Sequence, residues 1–189
     1  HSVFFLRYNL RLITQLKNED EYMPANLNFL SATFLVFFLN VTPVGAAGIV
    51  DNHNGSVTDS ATGLVWQKGD SFHELKKGLN WYEALEYIAI KNSENFAGHD
   101  DWRLPTLKEL NSLWISSGKI KSKDSETLGL PSGFESGGSY YLWSGDERGL
   151  DNAWYFGLGN KENYFNLKDL ADMEQGVKMV HINSLVQNP

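Results

Sequence analysis

The polar side chains best suited to metal chemistry lie in two short segments of this chain. His99, Asp100 and Asp101 are consecutive, and His73 begins an H-E-x-x-H zinc pattern. Lys77 occupies the second ligand position of that pattern, where its ammonium group would repel Zn²⁺. Three consecutive side chains rarely converge on one ion unless the backbone folds around it. We therefore expect no metal centre at either segment.

An acidic loop offers better ligands for a hard cation. Residues 146–151 read DERGLD, and Ca²⁺ prefers several oxygen ligands supplied by a flexible loop. A solvated acidic turn accounts for the same sequence and is the simpler interpretation. Ca²⁺ stays an open alternative at this loop, and we expect no other cofactor.

The sequence lacks the common catalytic motifs. Ser116 and Lys119 match S-x-x-K, but S-D-N, K-T-G, G-x-S-x-G, the P-loop and the dinucleotide fingerprint do not occur. The chain has no Cys, which excludes a Cys nucleophile, a Cys zinc site and a disulfide. We expect a binding protein rather than an enzyme.

Aromatic side chains suited to binding a sugar lie close together in the sequence. They are Tyr140, Tyr141, Trp143, Trp154 and Tyr155. Sugars stack their apolar faces on flat rings while nearby polar groups bind the hydroxyls, which is the usual composition of a ligand pocket. Because successive side chains of a strand face opposite sides, Tyr141 and Trp143 share one face and at least half of this set should pack in the core.

Two irregular segments, residues 116–139 and 145–152, flank the aromatic strand predicted over residues 140–144. Loops on a rigid scaffold are where binding specificity usually lies. The sequence therefore predicts that a ligand contacts residues drawn from Trp143, Asp146, Glu147, Asp151, Asn152 and Trp154.

Two helices and several short strands must position these side chains. Asn80 with Glu83, and Thr106 with Glu109, are capping-box pairs that predict helices over residues 81–91 and 107–115, with Gly118 ending the second. Asn54-Gly55 is typical of a type I′ hairpin turn. Further strands are predicted over residues 64–66, 153–156 and 177–182, which indicates an α+β domain. The predicted core includes Trp66, Leu85, Ile88, Leu110 and Met179.

The composition limits the range of partners. The 189 residues allow one ordinary domain, and 16 Lys and Arg against 23 Asp and Glu give a net charge of −7. Nucleic-acid binding needs a basic surface that displaces phosphate counterions, so we expect no nucleic-acid partner.

The N-terminal segment is expected to be separate from the domain. Residues 29–41 form an apolar run whose length of about 13 residues suits a signal peptide better than a membrane-spanning helix. We expect residues 1–22 to be translated upstream sequence, residues 23–47 a signal peptide beginning at Met23, and residues 48–189 the exported domain. An uncleaved membrane anchor is the alternative, and only then would the chain contact a membrane.

Four segments, TDSATGLVWQK, NWYEALEY, AGHDDWRLPTLKEL and YYLWS, occur in this order. Together they resemble the bacterial domain family named after the C-terminal domain of the collagen-like adhesin Lcl, over about residues 49–182. The resemblance implies a C-type-lectin-like α+β fold and export. For the namesake it also implies adhesion and binding of sulfated polysaccharides. Within the signature, Asp101 and Arg103 are either a ligand clamp or an internal ion pair beside a buried Trp102, and we favour the internal pair.

Two departures from that family pattern affect the prediction. Family members commonly carry Cys at the positions of Ile88 and Met179, so we expect an apolar contact in place of a disulfide. The domain is also acidic, which argues against binding to sulfated chains. We expect a secreted, periplasmic or cell-surface lectin-like domain, oligomeric or not, that binds a glycan or a surface protein in adhesion. The alternative is a structural or assembly module of the cell envelope that mediates protein–protein contacts.

Overall fold

The computed structural model describes residues 48–182, so the predicted upstream sequence and signal peptide lie outside the described residues. The described part contains three α-helices: α1 (Ser71–Leu75), α2 (Trp81–Ser93) and α3 (Leu107–Leu113). Its strands are β1 (Ile49–Asp51), β2 (Ser56–Asp59), β3 (Leu64–Gln67), β4 (Ile120–Lys121), β5 (Thr127–Leu128), β6 (Tyr141–Arg148), β7 (Asn152–Gly157), β8 (Glu162–Leu167) and β9 (Val180–Ile182). Among residues 48–182, no helix is long and apolar enough to cross a membrane.

The strands form antiparallel sheets, which confirms the α+β prediction. One sheet has the order β1-β2-β3-β9 and another the order β6-β7-β8, while β4 and β5 form a two-stranded pair. The chain therefore returns at β9 to complete the sheet that it began at β1. Strand β8 was missed at the sequence level because its residues ENYFNL are mostly exposed and carry few apolar side chains.

Side-chain capping fixes where the helices begin. Asn80 with Glu83, and Thr106 with Glu109, form reciprocal capping boxes, as predicted. Helix α3 ends at Leu113 rather than at Gly118, because the backbone at Trp114 is already extended. The sequence predicted two helices, whereas the described residues contain three. Helix α1 was missed because it is only five residues long.

The sheet β6-β7-β8 lies between two apolar clusters, as the strand alternation predicts. Trp143 and Tyr155 belong to one cluster, with Ile88 and Met179. Leu142 and Phe156 belong to the other cluster, on the opposite face of the sheet. Ile88 and Met179 therefore share one core, consistent with the apolar contact predicted between these two positions.

The predicted burial is correct for Trp66, Ile88, Leu110 and Met179 and wrong for Leu85, which is 41% exposed. The buried face of α2 consists of Trp81, Ala84, Tyr87 and Ile88. At 3.6 residues per turn, Leu85 is rotated about 40° around the helix axis from Trp81, which places it outside the arc of buried side chains. Tyr87 is buried instead because its hydroxyl donates to Glu74 and accepts from Gln67.

The turn between β1 and β2 lies where Asn54-Gly55 predicts it but is not type I′. Gly55 and His53 have positive φ, of 90° and 59°, whereas a type I′ turn would need positive φ at Asn54. The side chain of Asn54 accepts hydrogen bonds from the amide and the hydroxyl of Ser56 instead. An Asn side chain thus replaces the backbone turn.

Candidate ligand-binding site

A cleft of about 300 Å³ opens beside the start of β6. We call it the tyrosine groove, and it is lined by Lys123, Asp124, Glu126, Tyr140, Tyr141, Asp172, Met173 and Glu174. Three separate stretches of chain therefore build it: residues 123–126, residues 140–141 and residues 172–174. Its volume is at the lower end of the range for small-molecule pockets, roughly 300–1,000 Å³.

Backbone pairing holds the first stretch against the tyrosines. The amide of Lys123 donates to the carbonyl of Gly138 at 2.8 Å, and Ser122 forms a parallel bridge with Gly138. The hydroxyl of Ser122 also accepts from the amides of Asp124 and Glu126. These bonds hold the loop that carries Asp124 and Glu126 against Gly138, which lies two residues before Tyr140.

Backbone pairing also holds the opposite wall. The amide of Gly176 donates to the carbonyl of Tyr141 at 2.8 Å, and the amide of Trp143 donates to the carbonyl of Gly176 at 3.0 Å. A Cβ at position 176 would collide with the side chain of Ser139, so only glycine permits this approach. The segment that carries Asp172 and Glu174 is thereby fixed along β6.

The floor of the groove is an edge-to-face pair of tyrosines. The rings of Tyr140 and Tyr141 have centroids 4.7 Å apart, and Tyr141 also contacts Tyr155 and Tyr164 edge-to-face. Tyr155 and Tyr164 stack on each other at 5.4 Å. Four tyrosines thus support one another, which restrains the two rings that face the groove.

The groove is acidic. Asp124, Glu126, Asp172 and Glu174 face a single cation, Lys123, so four negative charges and one positive charge leave a net charge of −3. The ammonium of Lys123 binds Asp124 at 2.6 Å and Glu174 at 2.5 Å, and these two bonds raise its pKa. Lys123 is thereby committed to bridging two walls of the groove.

The hydroxyls of Tyr140 and Tyr155 stay protonated at neutral pH. Partial burial, followed by the neighbouring Tyr141 and Glu126, raises the pKa of Tyr140. Burial, followed by Tyr141 and Asp172, raises the pKa of Tyr155. Protonated hydroxyls can donate hydrogen bonds, and the carboxylates around them can only accept.

A sequence model of the Lcl C-terminal domain matches residues 55–180, which is 126 of the 189 residues. The chain belongs to the Lcl C-terminal domain family. No curated protein matches the chain. The matched range contains every residue of the tyrosine groove.

The Lcl C-terminal domain does not use its signature Asp101-Trp102-Arg103 as predicted. Trp102 is buried, but Arg103 pairs with Glu109 rather than with Asp101, through two bonds of 2.6 and 2.9 Å. Glu109 also accepts from the amide of Thr106 and so belongs to the cap of helix α3, where Arg103 binds it. Arg103 therefore forms an internal ion pair with a different acid from the one predicted, since the helix begins four residues after Arg103 and brings Glu109 back beside it.

Trp143 is not available to a ligand, contrary to the prediction. Its side chain is fully buried, and its indole N–H donates to the carbonyl of Leu79 at 2.7 Å. It shares a face with Tyr141, as predicted, but that face is covered by α2 and the Met179 region at the position of Trp143. Trp143 is buried because its face of β6 belongs to the apolar cluster that also contains Tyr155 and Met179.

Two predicted acidic residues have structural partners. Asp146 accepts a hydrogen bond of 2.6 Å from the amide of Leu107, at the N-terminus of α3. Glu147 forms an ion pair with the buried Lys168, which also donates to the carbonyl of Leu150. Asp146 therefore joins the end of β6 to α3, and Glu147 joins it to Lys168, which offers a structural reason for the acidity of this segment.

The other predicted residues lie on the surface away from the tyrosine groove's lining. Asp151 is exposed, Asn152 is half-buried, and the half-buried Trp154 ring packs edge-to-face on Phe165 at 5.6 Å. The guanidinium of Arg148 lies 3.5 Å from the ring centroid of Phe165. The structure thus divides the predicted set among the core, the loop and this aromatic patch, and a binding role for the exposed members stays a prediction.

Most of the groove was not predicted from the sequence. The ligand face was predicted on residues 116–139 and 145–152, and only the first of these segments contributes side chains to the groove. The acidic segment 172–174 was overlooked because it follows β8, which was not predicted. The useful signal was the Tyr140-Tyr141 pair at the beginning of a strand. Successive side chains of a strand face opposite sides, so two adjacent rings cannot both pack into the same core.

A second polar cluster lies in the interior and acts structurally. Asp70 caps α1 and accepts from His73 and from the amide of Ser139 at 2.7 Å. Burial opposes ionisation of Asp70, yet His73, Lys178 and Ser139 together lower its pKa. Lys178 is fully buried and donates to the carbonyls of residues 67, 68 and 69.

Proposed function

We propose that this Lcl C-terminal domain is an exported, non-enzymatic, C-type-lectin-like module that binds a neutral or amino-bearing glycan in the tyrosine groove. Family membership supports a domain of the cell surface or the extracellular space. The observation that carries the proposal is the pair of supported tyrosine rings beside four carboxylates. The chain would then act in adhesion by binding surface sugars.

The side-chain chemistry of the groove suits a sugar. The rings of Tyr140 and Tyr141 supply flat apolar surface, and the carboxylates of Glu126 and Asp172 supply acceptors for hydroxyl groups. Hydrogen bonds to charged acceptors are stronger than those between neutral groups. A cleft of about 300 Å³ would accommodate roughly one or two sugar rings.

The charge of the groove selects among glycans. A net charge of −3 repels sulfate and carboxylate groups, and Lys123 is already engaged by Asp124 and Glu174. Sulfated chains are therefore poor ligands, even though the family's namesake is an adhesin for them. An amino sugar would gain from the same carboxylates.

A glycan array followed by calorimetric titration tests this proposal. Tyr141→Ala removes one ring, and Glu126→Gln removes one carboxylate of the groove without changing its shape. We expect each variant to weaken binding of the best array ligand by roughly tenfold, the equivalent of about 1.4 kcal/mol. Tyr82→Ala and Glu86→Gln are matched controls, because both side chains are exposed on α2, outside the groove. Equal losses in the controls, or an array without binding, would reject the proposal.

A structural role in assembly is the second candidate, favoured by exposed apolar side chains near an edge strand. Leu150 is 88% exposed, and Phe165 and Leu167 on β8 are also exposed. Strand β8 pairs only with β7 within its sheet, which leaves an edge. Sedimentation velocity separates the candidates: a stable oligomer that Phe165→Ser disrupts, together with a negative glycan array, would favour assembly.

A further inference from the structure

Three potential metal ligands from two distant parts of the chain meet at the end of β9. His99 and Asp101 lie between α2 and α3, and His181 lies 80 residues after Asp101 in the final strand. One potential ligand atom from each side chain lies within 4.8 Å of the others. We predicted no metal here because three consecutive side chains rarely converge on one ion, whereas His181 approaches from a distant strand.

His181 supplies a buried nitrogen without a directed partner. Its side chain is only 9% exposed, and its Nδ1 has no hydrogen-bond partner among the described residues. Oδ1 of Asp101 lies 2.6 Å from this nitrogen, at ion-pair distance, but outside hydrogen-bonding angles. A buried imidazole nitrogen facing a carboxylate and a second imidazole is poorly satisfied by the protein alone.

The backbone holds the two parts together independently of these side chains. The amide of Arg103 donates to the carbonyl of Val180, and the amide of Val180 donates to the carbonyl of Arg103, both at 3.0 Å. His181 itself pairs with Val65 of β3. The Trp102 ring lies 5.9 Å from the His99 ring and 5.8 Å from the His181 ring, which covers one side of the cluster.

We propose that His99, Asp101 and His181 form a zinc-binding site. Two imidazoles and one carboxylate are a donor set that Zn²⁺ favours, with a fourth position left for water. Arg103 does not oppose the ion with a free charge, because its guanidinium is bound by both oxygens of Glu109. The site is separate from the tyrosine groove and shares no residue with it.

Small side-chain movements bring the ligands to zinc geometry. Ligand atoms around a tetrahedral Zn²⁺ lie about 3.3 Å apart, given metal–ligand distances of about 2.0 Å. The imidazoles of His99 and His181 now stack with centroids 4.1 Å apart, so one ring must turn to point at the ion. His99 is half-exposed and Asp101 is exposed, so these two side chains can move while His181 stays in place.

The zinc ion would fasten the last strand to the segment before α3. Without it, β9 is held by its pairing with β3 and by the backbone bonds between Arg103 and Val180. An ion bound to His181 and Asp101 adds a second link across the same junction. We therefore expect Zn²⁺ to stabilise the fold and to leave ligand binding in the tyrosine groove unchanged.

Isothermal titration of the untagged full chain with ZnCl₂ tests this site. We expect one ion per chain with a Kd below about 10 µM, and a melting temperature raised by roughly 5–10 °C when free Zn²⁺ exceeds the Kd a hundredfold. His99→Ala and Asp101→Asn alter side chains that reach solvent, so both variants should fold. Each should weaken zinc binding at least about tenfold.

An exposed histidine provides the matched control. The side chain of His53 is 87% exposed, so His53→Ala should bind Zn²⁺ like the unaltered chain. Absence of binding at 100 µM ZnCl₂, or binding that His99→Ala and Asp101→Asn leave unchanged, would overturn the assignment. Should His181→Ala fail to fold, His99→Ala and Asp101→Asn still decide whether these residues bind Zn²⁺.

Discussion

Restoring a disulfide at positions 88 and 179 is the most instructive perturbation of the core. The resemblance to the Lcl C-terminal domain family implies Cys at both positions, whereas this chain has Ile88 and Met179, which are buried in one apolar cluster. The double variant Ile88→Cys/Met179→Cys contains the only two cysteines of the chain, because the natural sequence has none. Any disulfide within one molecule must therefore join these two positions.

The magnitude follows from the loop that the disulfide closes. The two positions are 91 residues apart, and the chain-entropy relation gives about 4.6 kcal/mol for a loop of that length. Native disulfides commonly contribute less, about 2–4 kcal/mol. Shortening two buried side chains costs about 1–2 kcal/mol each, since each loses roughly two heavy atoms of packing. We expect the oxidised variant to be about as stable as the unaltered chain, and the reduced variant to be less stable by about 2–4 kcal/mol.

Urea unfolding of the double variant with and without reductant measures this difference within one molecule. At a typical m value of about 2 kcal/mol/M, a difference of 3 kcal/mol shifts the midpoint by roughly 1.5 M. A free-thiol assay gives the fraction oxidised. Failure to form the disulfide in air, or identical midpoints in both states, would show that positions 88 and 179 are too far apart for the contact to replace a crosslink.

Three further predictions concern charges. Asp146→Ala should lower the free energy of unfolding by about 1 kcal/mol because the amide of Leu107 loses its acceptor, whereas Asp151→Ala, at an exposed position, should leave the melting temperature unchanged. Burial lowers the pKa of Lys178 from 10.5 to about 8. Because the unfolded chain binds more protons than the folded chain between these pH values, the free energy of unfolding should rise through that range by at most about 3 kcal/mol. Urea titrations at pH 7.5 and 9.5 should show no such rise in Lys178→Met. Residues 48–189 carry 13 Lys and Arg against 20 Asp and Glu, so retention on heparin should vanish by about 0.3 M NaCl, and salt-resistant retention would contradict the proposed exclusion of polyanions.

Local sequence signals predicted most of the fold because they act over a few residues. The capping boxes at Asn80 and Thr106 correctly began two helices, since a side-chain cap needs only its neighbour three positions away. Alternation along β6 correctly separated Tyr141 and Trp143 from Leu142. Leu85 was placed in the core because apolar spacing alone does not show that Tyr87 finds hydrogen-bond partners inside.

The candidate binding site was harder to predict because it depends on contacts between distant segments. The wall that carries Asp172 and Glu174 is fixed by the bonds of Gly176 to β6, which no local pattern indicates. The approach of His181 to Asp101 likewise depends on the pairing of β9 with β3. Carboxylates such as Asp146 also looked like ligand contacts in the sequence, although their partners are a helix terminus and a buried lysine.

An NMR titration tests the central claim, that the tyrosine groove binds the ligand, most directly. Amide shifts of the ¹⁵N-labelled chain would be followed while the highest-ranked uncharged oligosaccharide from the glycan array is added. The groove predicts that the perturbed amides cluster at residues 123–126, 140–141 and 172–174, and that Tyr141→Ala removes these changes. Perturbations centred on residues 146–154 instead, or none at saturating sugar, would contradict it.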